Sequence, residues 1–217
     1  MFQFNQHTLQ RQGVTVLQSL NLTIQQGEKV ALLGVSGAGK STLLEALRLQ
    51  QPDQVAWCPQ QGALVPMLSV FHNIYMGALE RHAAVYNLIN LIRPLRRELE
   101  AVTQLAAELG ISEKLRTSVD RLSGGQAQRT ALGRALFSQR PVLLADEPVS
   151  SVDEHHAQSL LMLALARHDT AVVALHDRQL ALNCCDRIIG LKSGQIVIDG
   201  ASNQLSKHDL DILYQRR

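Results

Sequence analysis

Three short stretches hold residue types at spacings suited to phosphate chemistry. The first, Gly34-Val35-Ser36-Gly37-Ala38-Gly39-Lys40-Ser41, fits G-x-x-x-x-G-K-[ST] in full. Its glycines let backbone N–H groups from Gly34 through Ser36, Gly37, Ala38 and Gly39 to Thr42 curl around phosphate oxygens. A helix starting near Ser41 adds partial positive charge. Lys40 is placed to bridge the β- and γ-phosphates of a nucleoside triphosphate, and the Ser41 hydroxyl to ligate Mg²⁺. The second stretch, Val142-Leu143-Leu144-Ala145-Asp146-Glu147, is an apolar strand that delivers two carboxylates to its C-terminal end. Open α/β sheets bind ligands at that edge. Asp146 suits the Mg²⁺ shell, and Glu147 suits the polarisation of an attacking water. The third, Leu122-Ser123-Gly124-Gly125-Gln126, precedes a helical stretch. Ser123 is a good N-cap, and Gly124 and Gly125 open backbone donors at a second positive helix end. One nucleotide has no obvious need of two such ends on one chain.

The phosphate loop alone does not choose between a kinase, a GTPase and a transport ATPase. The run Leu122-Ser123-Gly124-Gly125-Gln126 does, because it resembles the signature of the ABC ATPase family, and the resemblance covers nearly the whole chain. It implies a P-loop NTPase core of RecA-like α/β type, an antiparallel β portion and an inserted α-helical subdomain. It also implies a head-to-tail homodimer in which each ATP lies between the phosphate loop of one copy and the signature of the other. Pro59-Gln60-Gln61 resembles the Q-loop, which gives Gln60 a contact to Mg²⁺ or water and a role in sensing the membrane partner. Ser150-Ser151-Val152-Asp153 resembles the D-loop, with Asp153 organising the dimer interface. His176 resembles the switch histidine that contacts the γ-phosphate. The implied activity is ATP hydrolysis coupled to solute transport. The implied partners are integral membrane permease subunits and a periplasmic or surface substrate-binding protein, with the chain on the cytoplasmic face of the cell membrane. Tyr75-Met76-Gly77-Ala78-Leu79, Asp146-Glu147-Pro148-Val149-Ser150-Ser151 and Asp209-Leu210-Asp211-Ile212-Leu213-Tyr214 resemble the phosphonate-importer branch.

Two departures from that family stand out. Its members carry an N-terminal aromatic that stacks on adenine, and here the position falls near Arg11, whose flat guanidinium can stack on a π face. Phe4 and His7 are weaker candidates for the same contact. Only 19 positions separate Ser41 from Gln60 (60 − 41), where the family places a longer β-hairpin segment. Residues 48–55 read as a shortcut, so a trimmed antiparallel portion is expected.

The positioning elements follow from periodicity. Phe2 and Phe4, then Leu20, Leu22 and Ile24, alternate with polar residues as half-buried strands do. Residues 30–33, 142–145 and 170–175 are apolar runs suited to strands buried on both faces. Residues 187–191 and 195–198 flank Ser193-Gly194 as a hairpin. From about 72 to 120 the pattern is helical: Leu79, Ala83, Tyr86 and Asn90, then Leu95, Leu99, Val102, Leu105 and Leu109, with Gly110 as a C-cap. That segment should face the membrane partner, for which its Leu and Ile residues offer a docking surface, although a helical core is expected to take most of them. The expected division is one ATPase domain over 1–217, with an α/β core at 1–71 and 123–217 and a helical subdomain at 72–122.

Composition narrows the classes. Hydrophobic residues make up 46% and aromatics 4%, so the core is aliphatic. Lys plus Arg number 21 against 19 Asp plus Glu, which gives no electrostatic case for nucleic acid as a partner. Cys58, Cys184 and Cys185 are an odd set without metal-ligand spacing, as expected in a reducing compartment. No signal segment opens the chain, no run approaches the ~18 apolar residues of a membrane span, and no long extension is expected past the hairpin before Arg217. Two rivals remain: an ABC protein acting on nucleic acid or ribosomes, for which there is one cassette and no basic excess, and a regulatory, non-hydrolysing cassette, which Glu147 and His176 oppose.

Overall fold

The computed structural model describes residues 1–61 and 64–215. The expectation that rests on Arg217 therefore falls outside the described residues. Among the described residues, eight strands run β1 Phe2–Arg11, β2 Val14–Ile24, β3 Lys29–Leu33, β4 Val55–Cys58, β5 Val142–Asp146, β6 Thr170–Ala174, β7 Arg187–Lys192 and β8 Gln195–Ala201. Seven α-helices run α1 Lys40–Gln50, α2 Val70–Tyr75, α3 Ala84–Ile92, α4 Arg96–Glu108, α5 Gly124–Phe137, α6 Glu154–Ala166 and α7 Arg178–Cys184.

β1 and β2 form a separate antiparallel pair, closed by a two-residue turn with Gln12 at φ 51° and Gly13 at φ 77°. Two successive positive φ values match the right-handed twist of the flanking strands. The other six strands form one sheet in the order β4-β5-β6-β3-β7-β8, parallel except for the β7–β8 hairpin. Its central strands β3, β5 and β6 are apolar between their ends because both faces are covered. Side chains alternate across the sheet. Ala31, Leu33, Ala145 and Val173 face a core with α2, α4, α5 and α6, while Val30, Leu32, Leu144 and Val172 face α1 and the β1–β2 pair.

The helical segment departs from the simple periodic reading. Leu79 lies in a 3-10 turn, and Ala83 is an extended residue that caps α3. The cause is Asn87, whose Nδ2 donates to the carbonyls of Leu79 at 2.8 Å and His82 at 3.2 Å. Those carbonyls no longer continue a helix, and the chain turns. Further on the pattern holds: Val102, Leu105 and Leu109 are buried. Gly110, at φ 64°, ends α4 with its N–H on Ala107 O and that of Ile111 on Ala106 O, a paired closure that satisfies both last-turn carbonyls. Gly77 sets the spacing between this segment and α5, since a Cβ there would lie 2.2 Å from Arg134 O. The expected shortcut at 48–55 contains the start of β4, a short edge strand that pairs in parallel with β5. The antiparallel portion is the two-stranded β1–β2 pair.

At the foot of the core, His168 is 5% exposed and its Nδ1 lies 2.7 Å from Ala164 O. Burial pushes its pKa down; the Ala164 carbonyl opposes this, and the charges of Lys29 and Arg167 add to the lowering. A folded pKa below the unfolded value means that the unfolded chain binds the extra proton. This contribution is therefore present above ~6.5 and is lost as pH falls toward the folded value. Melting temperature should drop between pH 7 and pH 5 by an amount corresponding to at most ~1.4 kcal/mol per pH unit from this site. His168→Gln should flatten the slope in thermal melts across that range; identical slopes would assign the acid sensitivity elsewhere.

Candidate nucleotide-binding and hydrolysis site

Strand order assembles the site. β4, β5, β6 and β3 are parallel neighbours, with Cys58 opposite Ala145, Asp146 opposite Ala174, and Leu32 opposite Ala174. The residues that leave their C-terminal ends, Gln60, Glu147, His176 and Gly34, therefore emerge side by side. One cleft is lined by Arg11, Val16, Ser36, Gly37, Ala38, Gly39, Lys40, Ser41, Thr42, Gln60, Glu147 and His176.

On the β3 side, the loop before α1 is held open by backbone that other residues resist. Gly39 caps α1 at φ 106°, and a Cβ there would lie 2.9 Å from the Leu17 side chain. No side chain caps this helix, and its first turn has no acidic residue. The unsatisfied N–H groups of the helix start thus face the cleft with their positive end, as an anion site requires. Gly34 packs so closely that a Cβ would meet Leu191 O at 2.4 Å. Lys40 is buried, and its Nζ donates to Gly34 O at 2.8 Å and Val35 O at 3.4 Å. Burial lowers the Lys40 pKa, with Glu147 and Asp146 opposing the shift.

On the β5 side, Asp146 is 5% exposed and its Oδ1 is buried without a hydrogen-bond partner. An orphaned carboxylate oxygen at this depth costs free energy unless a cation or donor reaches it. Glu147 sits at φ 52°, a left-handed conformation rare for a non-glycine residue, in which its N–H donates to Ala174 O at 3.1 Å. Such strain concentrates at functional sites. It aims the carboxylate between two partners: Gln60 Nε2 donates to Oε2 at 3.0 Å, and His176 Nε2 lies 2.5 Å from Oε1. Tyr214 Oη reaches the His176 carbonyl at 3.4 Å.

The second helix end lines a neighbouring cavity, where Gly124 shares the wall with Gln60, Asp146 and Glu147. Ser123 caps α5 by accepting from the Gln126 N–H, and Gln126 Oε1 accepts from the Ser123 N–H at 3.1 Å. Ser123 was legible as the N-cap, and the structure adds Gln126 as the other half of an S-x-x-Q capping box. Ser123 and Gly124 are exposed, and none of Ser123, Gly124, Gly125 and Gln126 lines the Lys40 cleft. A Cβ on Gly125 would lie 2.6 Å from Ser151 O, which locks the signature against residues 150–153. Asp153 caps α6 by accepting from the His156 N–H at 3.2 Å, and it too lies outside the cleft.

Arg11 and Val16 bring the β1–β2 pair to the cleft wall. Phe4 is instead a core residue at 7% exposure, and neither it nor His7 lines the cleft. Phe4 faces inward because it alternates in register with Phe2. Sequence reasoning missed Gln128. Its Nε2 donates to Glu147 O and Ser150 Oγ, and its Oε1 accepts from the Ser151 N–H at 2.8 Å. Its position two residues beyond the signature was the only available signal.

Comparison with known proteins identifies the fold and the family. The ABC transporter family model matches residues 17–150. The phosphite import ATP-binding protein PxtA of Stutzerimonas stutzeri is 35% identical over 94% of this chain and 83% of its own. The phosphonates import ATP-binding protein PhnC of Thiobacillus denitrificans is 35% identical over 94% of this chain and 88% of its own. Among solved structures, a nucleotide-free ATP-binding cassette from an ABC transporter superposes at TM-score 0.76 and 19% identity, covering 98% of both chains. A dimeric post-hydrolysis cassette bound to ADP and Pi superposes at TM-score 0.74 and 25% identity, covering 92% of this chain and 98% of that one. The chain belongs to the ABC transporter family. It is an ATP-binding subunit of that family, and its enzymatic activity is ATP hydrolysis.

Proposed function

We propose that two copies of this chain pair head to tail around two ATP molecules and drive permease subunits that import a phosphonate or a related phosphorus oxyanion. The observation that carries the pairing is the separation of two phosphate-type helix ends. The α1 end lines the cleft, whereas the exposed α5 end at Ser123 and Gly124 does not. In a head-to-tail pair the second end grips the triphosphate of the other copy. Asp153, one residue before α6, stands beside that face and organises the dimer contact. The cargo reading rests on the similarity to phosphite and phosphonate import proteins. The chain then acts at the cytoplasmic face of the membrane, with a substrate-binding protein delivering cargo from the other side.

Within each composite site, the backbone N–H groups of residues 34–42 bind the phosphates and Lys40 leaves its own loop carbonyls to bridge the β- and γ-phosphates. Arg11 lays its guanidinium along the base, and Val16 supplies an apolar wall. Glu147 orients and takes a proton from the attacking water, and His176 holds the γ-phosphate side of that water. The donor set fits Mg²⁺: one hydroxyl (Ser41), the orphaned Oδ1 of Asp146, and Gln60 Oε1, which is left free while Nε2 binds Glu147. Magnesium keeps several waters and substrate oxygens rather than an all-protein cage, and among the described residues no cluster of three His, Cys, Asp or Glu could cage a metal. When bound, the ion draws charge off the phosphates.

Chelation tests this arrangement. Phosphate release from ATP should stop in excess EDTA and return with added Mg²⁺, and Asp146→Asn should raise the Mg²⁺ concentration needed. Full turnover in EDTA would overturn the metal assignment.

A further inference from the structure

α3 is built inside out. Its inward side carries Tyr86, Asn87 and Asn90, each with a polar partner. Tyr86 donates to Glu98 at 3.1 Å, Tyr75 donates to Asn87 at 2.8 Å, and the Leu95 N–H donates to Asn90 at 3.0 Å. Asn90 is fully buried. The outward side carries Val85, Leu88, Ile89 and Ile92, spaced i, i+3, i+4 and i+7, at 71, 57, 45 and 78% exposure. Surface helices of soluble domains show the reverse arrangement. The expectation that a helical core takes most Leu and Ile residues of this segment fails here, because the asparagines, not the aliphatics, satisfy the turn carbonyls beneath α3.

Charge says what covers this face. Residues 81–97 contain Arg81, Arg93, Arg96 and Arg97 and no Asp or Glu. All four arginines are exposed, although Arg81 lies over the Phe137 ring and Arg96 pairs with Glu100, which leaves Arg93 and Arg97 as the uncompensated charges. The acids just outside are engaged: Glu80 with Arg140, Glu98 with Tyr86, and Glu100 with Arg96. A protruding aliphatic stripe with guanidinium groups clustered past its C-terminal end suits an anionic lipid surface, where aliphatic side chains enter the acyl boundary and arginines meet headgroup phosphates. Spanning is not at issue, since no helix among the described residues is long and apolar enough to cross a membrane.

We propose that α3 is an interfacial anchor that lays Val85, Leu88, Ile89 and Ile92 into an anionic lipid surface. Vesicle binding requires no nucleotide, so its outcome is separate from that of the ATPase reading.

The full chain is mixed with vesicles of phosphatidylglycerol and phosphatidylcholine in equal parts, or of phosphatidylcholine alone, and sedimented. It should sediment with the anionic vesicles and stay in the supernatant with the neutral ones. Leu88→Ser with Ile92→Ser should lower partitioning at least ~10-fold. Arg93→Gln, Arg96→Gln and Arg97→Gln together should lower it on the order of 100-fold, at ~5-fold per arginine. Both variants should keep wild-type ATP hydrolysis, which shows that they fold. Three results overturn the anchor: no sedimentation of the wild-type chain with anionic vesicles, equal binding to neutral vesicles, or undiminished binding by either variant. A wild-type chain that is dimeric without nucleotide and becomes monomeric on Leu88→Ser with Ile92→Ser assigns the face to a second copy and also overturns it.

Discussion

Glu147→Gln should lower ATP turnover by ~10²–10⁴-fold, the range for loss of a positioned general base, while ATP affinity stays within a few-fold of wild type. The two effects separate because the carboxylate stands at the end of the phosphate cleft, whereas the loop N–H groups and Lys40 carry binding. The substitution keeps the size of the side chain and the left-handed backbone at φ 52°. It cannot present an acceptor to both side-chain partners. A carboxylate accepts from Gln60 through one oxygen and faces His176 Nε2 through the other, whereas an amide keeps one acceptor for Gln60 and turns a donor toward His176, a contact that survives only with Nε2 unprotonated. His176→Ala should also slow turnover, by a smaller factor, since it removes a partner of the base and not the base itself. Phosphate release measured beside equilibrium ATP binding checks both. Turnover within tenfold of wild type for Glu147→Gln would return the proton to some other acceptor.

Local chemistry was legible in the sequence because its signals are local. A phosphate loop must be contiguous, so Gly34 to Ser41 declares itself, and a buried parallel strand must be apolar on both faces, so residues 142–145 do too. The meeting of Gln60 with Glu147 was not legible from spacing, because 87 positions separate them. It depends on strand order, which places β4 beside β5, and β4 itself is only four residues long. Only family resemblance suggested that Gln60 belonged to the site. The positive φ of Glu147 leaves no compositional mark, since a glutamate there looks like any other. α3 misleads by a different route. Its aliphatic positions have helical spacing whether they face a core or not, and periodicity gives the stripe without saying what lies against it. Only the neighbouring carbonyls, claimed by Asn87 and Asn90, decide which side turns inward.

Mixing two inactive variants should restore hydrolysis. Lys40→Ala removes the buried cation of the phosphate cleft, and Ser123→Arg replaces the exposed cap of the second helix end. In a head-to-tail pair of Lys40→Ala copies, both sites lack the lysine. In a pair of Ser123→Arg copies, both sites meet an arginine where the capped helix end should bind phosphate. A mixed pair is different, because its two defects fall on the same site. The other site has an intact phosphate loop from the Ser123→Arg copy and an intact signature from the Lys40→Ala copy. Each variant alone should therefore be inactive and unpaired, and an equal mixture should recover up to about half of wild-type turnover, since only mixed pairs form and each holds one whole site out of two. That fraction assumes that the two sites turn over independently. Coupling between sites can lower turnover without preventing assembly, so the same mixture is also examined with Glu147→Gln added to both chains. With saturating ATP, sedimentation should show pairs in the mixture and single chains in each variant alone. If each phosphate cleft were completed within its own chain, the mixture would stay inactive and unpaired, and the exposed end of α5 would need another occupant.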